Sequence, residues 1–483
     1  MVEICKNFID GELRASQSTE WLDVTNPATG EIIAHRPLAT ENEVNEAVGS
    51  AQRAFATWSE IPIVERAQVL FRFKQKLEEH FQELAELVVI DNGKTLAEAK
   101  GSVRRGIEVV DFATGIPSLI KGEVVEGIAS GVDIEMIRQP LGVVAGFTPF
   151  NFPVMVPLWM IPIALACGNT FVLKPSERAP LAAIRLAQLF SECGAPPGTL
   201  NVVHGTRAVA EALMAHSQVR AISVVGSSPV ARSVYEFAAA HGKRVQALGG
   251  AKNSLIVMPD AVMKGTVESI ISSVYGCAGQ RCLAGSNVIA VGSIAPLLIE
   301  ELGEAAANLK MGFGLDPHTT MGPVITKQAK ERVSSYIESG VRDGAKLLRD
   351  GRGDKVSLYP HGYFIGPTIF DEVQPDMAIA RDEIFGPVLN VMRVGNLDEA
   401  IKLTNASPFG NSASIYTTNG GAAREFRHRI AAGMLGVNLG VPAPIAFFPF
   451  SGWKGSFFGD LHVQGRDGIE FYTQRKVVTS RWL

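Results

Sequence analysis

The string GCAGQRC, Gly276 to Cys282, places two of the chain's five cysteines beside glycines, just beyond a predicted helix. A thiolate that attacks an electrophile must stand exposed in a cleft, and neighbouring glycines let the backbone turn to expose it. Cys282 is the candidate nucleophile. Most lone cysteines are small buried packers, and Cys277 is expected to be one, turned inward by the helix repeat. Asn151 lies far upstream in the proline-flanked loop FTPFNFP, Phe147 to Pro153. An asparagine in such a loop is as often a turn former as a donor. As a donor, its amide would meet an oxyanion together with the backbone N–H of Cys282. Gly226 and Ser227, in VVGSSPV, open a predicted helix whose free N–H groups suit a pyrophosphate. There is no GxGxxG. Lys174 closes the run TFVLK and Glu383 lies in DEIFGPV. Taken alone, each is a solvated surface charge.

The elements that must position these residues follow from periodicity. From Val64 to Val89, Ala67, Leu70, Phe71, Leu77, Phe81, Leu84 and Val88 recur at helical spacing, and Asn92-Gly93 closes one long amphipathic helix. Short strands are expected at Phe8 to Asp10 and Trp21 to Val24, around the turn NPATGE. After Pro140 the pattern changes. Apolar runs at Leu141 to Phe147, Thr170 to Lys174, Leu200 to Val203 and Ala221 to Val225 alternate with helices. Buried parallel strands with crossover helices read this way. A second alternating block has strands at SLIVM, from Ser254, and NVIAV, from Asn287, with helices at Ala261 to Tyr275, Pro296 to Lys310 and Gln328 to Gly340. The fold class is therefore α/β, with two doubly wound parallel-sheet lobes, and ligands belong at the strand ends. Ile120 to Arg138 and the tail from Phe457 fit neither lobe. Both alternate polar and apolar residues, as an exposed or subunit-bridging hairpin and strand would.

Bulk properties narrow the function. The 483 residues suggest about three domains or fewer large ones, and 46% hydrophobic with 19% charged residues is the profile of a globular enzyme. A net charge of −4 gives no nucleic-acid footprint. Five irregularly spaced cysteines argue for a reducing compartment. With no CxxC pair and no histidines at ligand spacing, no metal site is expected. The N-terminus lacks the long apolar core of a signal peptide. The apolar stretch from Phe152 to Ala166 is cut by Pro153, Pro157 and Pro162 and is too short to span a membrane. A cytoplasmic location is expected.

GQRC, with Cys282 last, resembles the active-site signature of the aldehyde dehydrogenase superfamily. FTPFNFP, VLKPSE (Val172 to Glu177), VVGSSPV, LGGAKN (Leu248 to Asn253) and DEIFGPV follow in family order over nearly the whole chain. The resemblance implies Cys282 and Asn151 as catalytic residues. It implies Phe150, Lys174, Glu177, Gly226, Ser227 and Glu383 as cofactor-binding residues, with Lys174 and Glu383 on the ribose. It also implies an NAD-binding domain from 1–119 and 140–248, a catalytic domain from 249–436, and a small β oligomerisation extension from 120–139 and 457–483. Hydrolytic members carry a glutamate just before the LGG string to activate water. Here VQALGGAKN has no carboxylate, and Gln246 cannot act as a base. Another acyl acceptor is implied, and a thiol such as coenzyme A needs less activation.

KRVQALGGAKN, AGQRC, MLGVNLGVPAPIAFFPFSGWK (Met434 to Lys454) and SFFG (Ser456 to Gly459) are similar to the CoA-acylating methylmalonate-semialdehyde dehydrogenases. In that family two arginines serve a carboxylated substrate, and they correspond to Arg105 and Arg281. A planar cationic fork suits a carboxylate. Arg281 could instead point away and pair structurally, and Arg104 neighbours Arg105 as an alternative. Val224 stands where relatives often have Phe. The resemblance implies oxidative decarboxylation of malonate or methylmalonate semialdehyde to acetyl-CoA or propionyl-CoA, with NAD as cofactor and coenzyme A as co-substrate, in a homodimer or homotetramer. The rival within the superfamily is a hydrolytic enzyme releasing a free acid. The rival outside it is a non-catalytic structural member.

Overall fold

A computed structural model describes residues 3–482; Met1 and Val2 of the opening segment and Leu483 of the tail lie outside them. Five parallel strands form the centre of the first sheet, in spatial order Arg244–Leu248, Val219–Val225, Val143–Phe147, Thr170–Lys174 and Leu200–Val202. Four of them were expected within two residues of their ends; Arg244–Leu248 was read only as part of the motif before LGG and not as a strand. The chain runs outward from Val143–Phe147 to Leu200–Val202, then crosses back to Val219–Val225. The order therefore reverses between Val143–Phe147 and Val219–Val225, and a crevice opens at their carboxyl ends. Short antiparallel strands flank this sheet: Asn7–Ile9 and Glu12–Arg14 on one side, Phe457–Phe458 on the other.

The second sheet has six parallel strands, Thr368–Asp371, Val388–Val394, Gly285–Val291, Asn253–Val257, Ser412–Tyr416 and Met434–Val437 in spatial order, with Lys346–Arg349 antiparallel at one edge. The sequence reading named only the two strands that bracket the Cys282 segment. A third, three-stranded antiparallel sheet joins Glu123–Ala129, Val132–Pro140 and Thr473–Arg481. The tail thus divides. Phe457–Phe458 extends the first sheet, the helix Gly465–Phe471 follows, and only the stretch from Thr473 onward joins the third.

One helix expectation is corrected. The predicted run from Val64 to Val89 is two helices, Ile63–Glu79 and Phe81–Asn92, broken at His80 (φ −102°, ψ 18°). The His80 ring bonds Glu83 at 2.5 Å, and Arg185 reaches both groups. These side-chain bonds tie the junction of the two helices in place. The apolar spacing runs through the break, so periodicity alone cannot reveal it. Gly93, at φ 90°, ends the second helix in the left-handed conformation that favours glycine.

Two helices matter for the site. Met155–Ala166 is buried on every face, which explains the apolar stretch at Phe152 to Ala166. No helix among the described residues is long and apolar enough to cross a membrane. Leu96–Thr114 starts with a reciprocal capping box: the Thr95 hydroxyl accepts the Glu98 N–H, and the Glu98 carboxylate accepts the Thr95 N–H.

Candidate active site

Cys282 lies between the helix Met263–Tyr275 and the strand Gly285–Val291, beyond a short 3-10 turn at Gly276–Gly279. Inside that turn Cys277 (φ 51°), Ala278 (φ 52°) and Gly279 (φ 74°) are all left-handed. Two consecutive non-glycine residues there cost about 1–2 kcal/mol each. Surrounding contacts offset that strain. The Cys277 N–H donates to Glu98 Oε1 at 2.7 Å. The Gln280 side chain donates to the Cys277 and Pro323 carbonyls and accepts the Ile325 N–H. A Cβ on Gly279 would stand 2.2 Å from the Gly386 carbonyl oxygen, so only glycine lets the loop press there. Cys277 is buried as expected, but in this strained turn rather than on a helix face.

Beyond the turn, the Cys282 carbonyl accepts the side-chain amides of Asn253 and Asn411, each at 2.9 Å. Neither role was read from the sequence. Asn253 was visible only as the last letter of LGGAKN, and nothing local marks Asn411. Two cavities meet at Cys282, one of about 760 Å³ and one of about 420 Å³.

The larger cavity is the crevice at the reversal of strand order. Phe147, Phe150, Asn151, Lys174, Glu177, Gly226, Ser227 and Glu383 all line it. The strand Val219–Val225 ends at Gly226, and Ser227 precedes the helix Ser228–Ala240, so the first-turn N–H groups of that helix lie at its wall. Lys174 is buried, bonding the Pro175 carbonyl at 3.1 Å and Glu177 at 3.4 Å. Burial lowers the Lys174 pKa. Burial alone would raise the Glu177 carboxyl, but Lys174, its own backbone N–H and Arg36 outweigh it and hold the pKa below the usual range. Glu383 accepts the Ala251 N–H at 3.0 Å, and burial pushes its pKa up to about 7. A Cβ on Gly250 would stand 2.3 Å from Glu383 Oε2, so that glycine makes room for the carboxylate. A helix N-terminus for phosphates, with a lysine and two carboxylates for ribose hydroxyls, fits a dinucleotide.

Asn151 is buried and donates its amide to the Gln280 carbonyl at 2.9 Å, which ties its loop to the Cys282 segment. Lys94 was not singled out by the sequence. It is buried, donates to the Asn151 carbonyl at 2.7 Å and lies 4.0 Å from the Phe152 ring centroid. Asn92 bonds the Phe150 carbonyl at 3.1 Å. The turn that ends the Phe81–Asn92 helix therefore braces the loop of Phe150 and Asn151. Phe150 meets Phe385 edge-on at 5.9 Å.

The smaller cavity is lined by Glu98, Arg105, Phe152, Cys277, Arg281 and Cys282, among others. Arg105, on Leu96–Thr114, bonds Glu108 at 2.9 Å and the Ala443 and Pro444 carbonyls. Arg281 donates to Glu98 at 3.0 Å and to Cys277 Sγ at 3.1 Å. Burial would lower the Arg281 pKa, but Cys277 and Glu98 outweigh it, and the guanidinium stays charged. Both arginines expected for a carboxylate thus share one cavity with the thiol. Arg281 also makes the structural pair that the sequence left open. Arg104 lines the same cavity but is exposed and engaged by Glu78.

Burial pushes the Cys282 thiol up to about 12, Glu383 adds to this, and the N–H groups of Cys282 and Leu283 and the charge of Arg281 oppose it. The ligand-free thiol is therefore protonated at neutral pH. Gln246 lines neither cavity. It is buried against the tail, accepting the Ser223 hydroxyl at 2.8 Å and donating to the Leu461 carbonyl at 3.2 Å.

The aldehyde dehydrogenase family model matches residues 13–478. The chain belongs to the aldehyde dehydrogenase family. Within it, the chain is 56% identical over 481 residues to malonate-semialdehyde dehydrogenase 1 of Geobacillus thermodenitrificans, covering 100% of this chain and 99% of that one. A crystallised Sinorhizobium meliloti protein, described as a methylmalonate-semialdehyde dehydrogenase complexed with NAD, superposes with a TM-score of 0.99 at 47% identity, covering 100% and 99% of the two chains. The methylmalonate-semialdehyde dehydrogenase of Oceanimonas doudoroffii gives a TM-score of 0.98 at 46% identity, with the same coverage. The chain is an NAD-dependent aldehyde dehydrogenase with the family's parallel-sheet fold.

Proposed function

We propose that the chain oxidises malonate semialdehyde and methylmalonate semialdehyde, releases carbon dioxide, and transfers the remaining acyl group to coenzyme A. The observation that carries this reading is Cys282 at the junction of two cavities, one built for a dinucleotide and one holding Arg105 and Arg281. The names of the relatives at 56% and 47% identity support it.

In this reading the aldehyde enters the smaller cavity with its carboxylate against the two guanidinium groups. Cys282 gives up its proton to solvent water and attacks as a thiolate. The Cys282 N–H and the Asn151 amide donate to the oxyanion that forms, Asn151 exchanging its bond to Gln280 for one to the substrate. Lys94 holds the Asn151 backbone in place for that exchange. Lys174, Glu177, Gly226, Ser227, Phe150 and Glu383 hold the cofactor. NAD, when bound, supplies the hydride acceptor that turns the adduct into a thioester on Cys282. The substrate carboxylate is then β to the thioester carbonyl. Loss of carbon dioxide leaves an enolate that the same donors stabilise until it takes up a proton. The thiol of coenzyme A displaces Cys282, giving acetyl-CoA or propionyl-CoA. With no carboxylate at the position before LGG, water is a poor rival. The Glu177 charge beside Lys174 disfavours a ribose 2′-phosphate, which favours NAD over NADP.

The same reading divides the chain into a cofactor-binding unit (1–119 and 140–248), a catalytic unit (249–436) and an oligomerisation unit (120–139 and, of the tail 457–483, the stretch from Thr473 that joins the third sheet) in a cytoplasmic dimer or tetramer. Exposed Val124, Val125, Ile128, Val477 and Trp482 on or next to the third sheet support a subunit contact there. The test is NADH formation from malonate semialdehyde with and without coenzyme A, with acyl-CoA and free acid both quantified. Sustained turnover that needs coenzyme A and yields acetyl-CoA is expected. Equal turnover to free acid without it would overturn the acylating assignment.

A further inference from the structure

Arg281 cannot select a carboxylate merely by being present, because a bidentate pair requires its planar fork to face the ligand at one angle. Four neighbours fix that angle, one of them the Ser272 carbonyl, which accepts Arg281 Nη1 at 3.4 Å. Glu98 Oε1 accepts Arg281 Nη2 at 3.0 Å, and the same oxygen accepts the Cys277 N–H at 2.7 Å. Cys277 Sγ accepts Arg281 Nε at 3.1 Å, placed there by the left-handed backbone of residue 277. The fourth side is Gly276. A Cβ there would lie 2.5 Å from Arg281 Cζ and Nη2 and 2.6 Å from Nη1, so the guanidinium lies directly against the bare glycine. Gly276 itself has φ −57° and ψ 137°, a conformation open to any residue. Its lack of a side chain therefore serves the guanidinium and not the backbone.

We propose that Glu98, Gly276 and Cys277 form a seat that directs Arg281, and that Gly276 is a specificity-determining position for carboxylate-bearing aldehydes. The proposal rests on the reading of the smaller cavity as a carboxylate pocket. Glu98 further links the seat to the helix that carries Arg105, because its second oxygen accepts the Thr95 N–H at 3.0 Å and so caps that helix. Both arginines are thereby registered to one carboxylate.

Gly276→Ala is the discriminating variant. The atoms that its methyl would displace are the far end of a flexible side chain, and the backbone accepts alanine, so the protein folds while the guanidinium shifts. The measurement is kcat/KM for malonate semialdehyde relative to propanal, in four proteins: the wild type, Gly276→Ala, Arg281→Ala and the double variant. Losing one charge-assisted hydrogen bond to substrate predicts a fall in that ratio of at least about tenfold for Gly276→Ala, carried mainly by KM for the semialdehyde. In the Arg281→Ala background the same methyl should change the ratio no further, because there is no guanidinium left to move. An unchanged ratio in Gly276→Ala overturns the proposal. So does an equal loss with both aldehydes, or a full additional loss in the double variant. A wild type that does not favour the semialdehyde over propanal overturns instead the carboxylate-pocket reading beneath it.

Discussion

Replacing Asn253 by alanine is expected to loosen the segment that carries Cys282 far more than replacing Asn411. Both amides bond the Cys282 carbonyl at 2.9 Å, and both side chains are buried. Asn253 also donates to the Ala284 carbonyl at 2.9 Å and accepts the Ser412 N–H at 3.1 Å. Asn253→Ala removes three hydrogen bonds, about 1 kcal/mol each, and strips the buried Ser412 N–H and the half-buried Ala284 carbonyl of those partners. The total is about 3–5 kcal/mol. Asn411→Ala removes one bond from a carbonyl that keeps the other, about 1 kcal/mol. The assay is the urea midpoint of the first unfolding transition, read beside the steady-state rate. A nucleophile displaced by about 1 Å loses on the order of 100-fold in rate, so Asn253→Ala should lose activity before it unfolds. Equal midpoints for the two variants, or a wild-type midpoint in Asn253→Ala, would refute the inference that these amides clamp the nucleophile.

Three further outcomes are expected. Burial holds the Cys282 thiol near 12, so its alkylation by iodoacetamide in the ligand-free protein should rise steadily from pH 7 to pH 10; a plateau in that window contradicts the account. Glu383 titrates near 7 and accepts hydrogen bonds from ribose hydroxyls more strongly when ionised. NAD should therefore bind more tightly at pH 8 than at pH 6, and Glu383→Gln should flatten that dependence in calorimetric titrations. Arg138, 6% exposed and on the third sheet, pairs with Glu470 on the helix Gly465–Phe471, and Arg138→Ala leaves that carboxylate with Arg475 alone, at a cost of about 3 kcal/mol. Burial would raise the Glu470 pKa, but the two arginines hold it below 4.5. The pair's contribution is therefore full above the unfolded value and lost as pH falls through the folded one. The gap in thermal midpoint between wild type and variant should close in acid.

Much of this was legible because strands and ligand-bearing strand ends are local patterns. Thr170–Lys174 carries its own boundaries in its composition, and Lys174 falls at the carboxyl end of that strand, beside the crevice. Cys282, Asn151 and the two arginines were found by their motifs, and the structure gathers them. What was not legible depends on pairings that sequence order conceals. The amides on the Cys282 carbonyl come from 29 and 129 residues away. Lys94 acts on a loop 57 residues downstream. The positive φ of Cys277 and Ala278 has no compositional signal, because such positions are normally marked by glycine. The break at His80 was missed because its stabilising bonds are polar while the signal read was apolar.

The sulfur of Cys282 has two doors. A molecule lodged in the arginine-lined door leaves the dinucleotide's path clear, and a dinucleotide in its own cleft leaves the aldehyde's path clear. Traffic through one need not queue behind the other. Occupants of the two doors should therefore obey different inhibition laws. A carboxylate analogue too inert to react should compete with the aldehyde and yet be indifferent to how much dinucleotide is present.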